Sequence, residues 1–190
     1  MAMWDRLKDQ AKNLQQAQRG GGAPHGTAHG TTHGPPRGAG SGGGPRAQLV
    51  SALKTQLASL KTELKSGAYR DASMAMCALV AAADGHVDPS ERQHVESMIL
   101  GNEVLQNFPP EQLRQRFNKH VDQLTRDFQQ GKAEALQDIA RTAKKPTEAR
   151  AVIQTGIVVA GADGDFSQAE HMIIREACTA LGLSPAEFQL

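Results

Sequence analysis

With 190 residues and a net charge of +1, the chain has room for one domain plus extensions and lacks the basic excess that nucleic-acid binding draws on. Aromatic residues make up only 4% of it, too few to stack bases along a basic stripe, so nucleic acid is not an expected partner. No signal peptide opens the chain and its longest apolar run, Met74 to Ala83, falls well short of the roughly 20 residues that cross a bilayer, so a soluble cytoplasmic protein with free buried thiols at Cys77 and Cys178 is expected.

Residues 1–19 place Trp4, Leu7, Ala11 and Leu14 at helical spacing, with charges around the rest of the wheel. So short an amphipathic helix orders only against something else: its own core, a partner, or a membrane surface reached through Trp4 and Leu7. Residues 20–45 hold eleven of the nineteen glycines, four prolines and no aliphatic side chain larger than alanine, the composition of a flexible linker. Within it His25, His29 and His33 recur every fourth residue, a tract suited to weak binding of Ni, Cu or Zn ions.

Residues 46–190 read as an all-α domain. Val50, Leu53, Leu57, Leu60 and Leu64 form a short seam that faces a core, with Gly67 as its end. Tyr69 to Asp84 is alanine-rich and apolar nearly all round, the mark of a central helix. A helix is expected from Pro89 to about Gly101. Another starts at Pro109 or Pro110, carries Leu113, Phe117, Val121, Leu124 and Phe128 on one face, and stops at Gly131. Lys132 to Lys144 is a shorter helix, Pro146 to Ala162 a second apolar one, and Gln168 to Leu181 an amphipathic one. Ser184 and Glu187 have capping-box spacing and predict a last turn.

The chain repeats itself at an offset of 79 residues: ALVAAADGHVDPSERQHVESMI returns as IVVAGADGDFSQAEHMIIREAC. Asp84, Gly85, Asp88 and Glu91 of one copy correspond to Asp163, Gly164, Ser167 and Glu170 of the other. Duplication of this kind predicts two helix-loop-helix units about a pseudo-twofold axis. Helix capping explains most of the pattern. Gly85 or Gly164 takes the left-handed conformation beyond a helix end, Val87 or Phe166 packs inward, and Asp88 or Ser167 with Glu91 or Glu170 forms a capping box. Asp84 and Asp163 fall outside that explanation, since a carboxylate beside a helix C-terminus is disfavoured unless a cation answers it: a Lys, an Arg or a metal.

The spacing also matches the second half of an EF-hand loop, with Asp-Gly followed by an apolar residue and a glutamate. The first two acidic ligands of such a loop are missing; Val80, Ala82, Val159 and Gly161 stand there. One loop offers too few oxygens for Ca²⁺, whereas two loops pooled across the twofold, or completed by water, would hold one or two divalent ions weakly. Charge runs the same way: residues 84–103 carry −4 and residues 163–176 carry −3, against +5 for the rest of 46–190.

At MCALVAAADGHVDPSE and VVAGADGDFSQAE the chain resembles the TerB tellurite-resistance family, over roughly residues 74–190. The resemblance implies a pseudo-symmetric helical domain with an acidic surface proposed to bind metal, and resistance to tellurite and other stresses in complexes that include the membrane protein TerC. Carried over by position, the metal residues are Asp84, Asp88, Glu91, Asp163, Asp165 and Glu170, with Ca, Mg, Mn or Zn as the divalent cofactor. His86 stands where Asp165 does in the other copy, and Ser167 replaces Asp88, so the two loops are unequal. The expected protein is a non-catalytic stress-resistance module binding divalent metal, partner proteins or both. The alternative is a plain helical adaptor whose loops serve only as caps. No CxxC pair and no glycine-rich nucleotide turn supports an enzyme.

Overall fold

The computed structural model describes residues 44–163 and 166–190, the Asp163 side chain excepted. Residues 1–19, His25, His29, His33, Gly164 and Asp165 therefore lie outside the described residues. Among the described residues there are seven α-helices and no strand: α1 (Pro45–Ser59), α2 (Gly67–Ala81), α3 (Pro89–Gly101), α4 (Pro110–Arg126), α5 (Phe128–Ala140), α6 (Pro146–Ala160) and α7 (Gln168–Leu181). Single 3-10 turns cover Leu105–Asn107, Gly161–Asp163 and Pro185–Phe188.

The two apolar helices are the core. Every residue from Ala72 to Val80 on α2 and from Ala151 to Ala160 on α6 is buried. They pack on each other, with α4 and α5 also covering α2, α1 lying on α6, and α7 resting against α5 and α6. Their close approach depends on Gly156: a Cβ there would lie 2.7 Å from Met76 Cγ, inside any real carbon–carbon contact. Tyr69 and Thr155 share a buried hydroxyl hydrogen bond of 3.1 Å across the same seam. Burial pushes the Tyr69 hydroxyl up to about 12, partly offset by that bond, so it stays protonated and able to donate.

Glu63 and Leu64, just before α2, line one small pocket with Lys145 to Glu148 at the start of α6. Met76 and Gly156 then meet some two-thirds of the way along each helix.

At two helix boundaries a side-chain acceptor outweighs the glycine that the sequence expectation rested on. Gly67 does not end α1; Ser66 accepts the Tyr69 amide at 3.0 Å and Gly67 is the first residue of α2. Gly131 does not end α4 either. Asp127 breaks the chain at extended backbone angles and caps α5 by accepting from the Gln130 amide at 3.1 Å. Gly131 then sits buried within α5, where a Cβ would come 2.7 Å from the Leu124 backbone nitrogen. Phe128 thus belongs to α5 rather than to the α4 stripe, whose Leu113, Phe117, Val121 and Leu124 are buried as expected. At the tail, Ser184 makes no capping bond, and Glu187 pairs instead with Arg150 at 3.0 Å.

Candidate functional site

The first loop closes on itself. α2 ends at Ala81, and Gly85 takes the left-handed conformation at φ +87° while its amide bonds back to the Ala82 carbonyl at 2.9 Å. Asp84, exposed beyond the helix end, accepts the His86 amide on Oδ1 at 3.0 Å. That local N–H answers part of the charge that seemed misplaced beside the α2 carbonyls.

Asp88 begins α3 as a full capping box. Its Oδ1 accepts from the Ser90 amide at 2.8 Å, the Ser90 hydroxyl at 2.6 Å and the Glu91 amide at 2.9 Å, while Glu91 Oε2 accepts the Asp88 amide at 3.1 Å. The Ser90 hydroxyl, followed by the Glu91 amide, holds the Asp88 carboxyl below its ordinary value.

The second loop repeats the box with a neutral cap. Ser167 Oγ accepts the Glu170 amide at 3.1 Å, and Glu170 Oε2 accepts the Ser167 amide at 2.6 Å. Asp163 ends the 3-10 turn that follows α6. Phe166 is packed by side chains from α1 and α7. The Arg46 guanidinium lies over the Phe166 ring, 5.6 Å from its centroid, and the Phe166 and His171 rings are 5.3 Å apart. Gly161 makes room for this: a Cβ there would be 2.5 Å from Val50 Cγ2 and 3.2 Å from the Phe166 ring. Arg46 and His171 were not singled out from sequence, and Val50 only as part of the core-facing seam of α1. Their one advance signal is Gly161, which stands where the first copy has Ala82.

Much of the acidity of α3 and α7 is answered inside the fold. Glu96 pairs with Arg114 of α4 at 2.8 Å, and Glu176 with Lys132 of α5 at 3.0 Å. Arg92, the one base of the first acidic stretch, turns to Asp122 of α4 at 2.9 Å. The surplus of acid therefore moves to the loops, at Asp84, Asp88 and Glu91 in the first and, by sequence, Asp163, Asp165 and Glu170 in the second.

As a metal centre the first loop is a poor fit. Asp84, Asp88 and Glu91 each give an oxygen to a backbone amide, and among the described residues no three His, Cys, Asp or Glu side chains gather closely enough to hold an ion. The side chains of Asp163 and Asp165 are outside the described residues. The two thiols offer little chemistry. Burial pushes Cys77 and Cys178 each up to about 12, with Glu187 adding to the rise at Cys178, so neither is a thiolate near neutral pH. Among the described residues no helix is long and apolar enough to cross a membrane.

Compared with known proteins, residues 70–190 match the family model described as "Tellurite resistance protein TerB". No curated protein matches, and no solved structure does.

Proposed function

We propose, from the premise that this chain belongs to the TerB family, that it is a tellurite-resistance-type helical module that binds and does not catalyse. Its ligand would be cationic and would meet the acidic face that carries the two DGxΦxxxE loops. The observation behind this reading is that the fold spends the helix-borne acids Glu96 and Glu176 on its own bases, which leaves the surplus of acid to the duplicated loops, with Asp84 exposed on the first. Basic side chains of a partner protein suit that face best, because they need only exposed carboxylate oxygens and a field, not an inner coordination shell. Partners in this reading are other tellurite-resistance proteins, including membrane-embedded TerC, which would bring the module to a membrane indirectly.

Divalent ions are the second reading. Asp84 lies just beyond the C-terminal end of α2 and Asp163 closes the turn after α6, both where helix carbonyls already concentrate negative potential. Such ions would draw on both loops, since the first alone lacks a ligand set.

The experiment titrates the full chain with an oligo-lysine peptide by calorimetry and follows its thermal unfolding with Ca²⁺, Mg²⁺, Mn²⁺ and Zn²⁺. The His25, His29 and His33 to alanine background removes linker binding. Salt-sensitive peptide binding that an Asp84→Asn/Asp163→Asn variant loses is the expected result. A rise in melting temperature with one ion and no peptide binding would select the metal reading. Neither response would leave the plain adaptor, whose loops only cap helices.

A further inference from the structure

We infer that Arg46, which precedes the residues matching the family, is a positioning residue for the second Asp-Gly loop. The loop is held from outside by a clamp that reaches it from the first turn of α1. Three side chains close around its exit: Arg46 from α1, Phe166 from the loop and His171 from the first turn of α7. The guanidinium lies 5.6 Å from the Phe166 centroid, the Phe166 and His171 rings are 5.3 Å apart, and Arg46 Nη2 approaches His171 Nε2 at 3.4 Å, a long hydrogen bond from guanidinium to imidazole. A cation against an aromatic face, closed by a second ring, fixes the direction in which the chain leaves the loop.

The backbone is shaped to admit this clamp. Val50, one turn after Arg46, occupies the space a Cβ of residue 161 would need, and Gly161 provides it. The first copy has Ala82 at that place, and its loop is held locally, by the Asp84 turn and the triple acceptor Asp88. The second copy carries serine for that aspartate, and its cap accepts one hydrogen bond where Asp88 accepts three. The α1 clamp stands beside the copy with the serine cap.

This deepens the binding face proposed above and rests on it for its functional meaning: α1 sets the pose of one of the two loops, and the chain leading into α1 begins at that same turn. By reciprocity, whatever engages the second loop feels the state of α1, and whatever pulls on α1 alters the loop.

The test is hydrogen exchange on the full chain without any ligand, so it stands whether or not the loops bind cations. Arg46→Ala should speed exchange of the amides of residues 166–170 about tenfold, with residues 84–91 within about twofold as the internal control. Arg46→Lys should restore part of the protection. Phe166→Leu should give the same local pattern, and the Arg46→Ala/Phe166→Leu double variant should be no worse than the worse single, because both remove one shared contact. Unchanged exchange at 166–170, equal acceleration of both loops, or additive effects in the double variant would each overturn the clamp.

Discussion

Asp84, Gly85 and Asp88 close the first loop among neighbours in sequence, whereas the second is closed by the Ser167–Glu170 box and by Arg46 and Val50 from a helix more than a hundred residues away in the chain. The two share a motif at corresponding places, and among the described residues different interactions close on them. A duplicated motif fixes the local turn; what each copy can do is then decided by what packs on it.

The comparison can be broken most forcefully at residue 161. Gly161→Ala puts a methyl where Val50 Cγ2 already lies, and should cost about 1–3 kcal/mol in denaturant unfolding, the usual range for overpacking. The mirror change, Ala82→Gly in the first copy, creates no clash and should cost roughly 1 kcal/mol or less. Equal losses at the two positions would mean that α1 does not distinguish the copies.

A smaller effect is expected at the caps. Ser167→Ala removes the acceptor for the Glu170 amide and should destabilise by about 1 kcal/mol, read as a shift in the denaturation midpoint. The finest contrast is in pH. The Asp88 carboxyl is held below its unfolded value, near 3.9, so its contribution is whole above that value and is lost as pH falls through the lower, folded one. Ser167 has no such dependence. Asp88→Ser, which gives the first copy the second copy's cap, should therefore flatten the fall in melting temperature below about pH 4. An unchanged acid limb would show that the Asp88 cap contributes nothing that titrates.

Most of the fold was legible because its signals are local. Pro89 and Gln168 begin helices as expected, the A-D-G pattern gives the left-handed Gly85, and both capping boxes form. The misread boundaries were also local, but Gly67 and Gly131 drew attention from the stronger signals of Ser66 and Asp127 beside them. Gly131 is glycine because α5 folds back onto the backbone of Gln123 and Leu124 at the end of α4, a close approach that helical periodicity does not signal. The candidate site divides in the same way. Its loop residues could be read directly, while the clamp at Arg46 and the spending of Glu96 and Glu176 on α4 and α5 required knowing which helices are neighbours.

The central claim is that the two loops form one cation-binding face. It is tested most directly by the calorimetric affinity for an oligo-lysine peptide of the wild type, Asp84→Asn, Asp163→Asn and the double variant, in the His25, His29 and His33 to alanine background. The account predicts that each single change weakens binding and that the double change abolishes it. Wild-type affinity in all four proteins, or loss from one loop alone with the other silent, would contradict it.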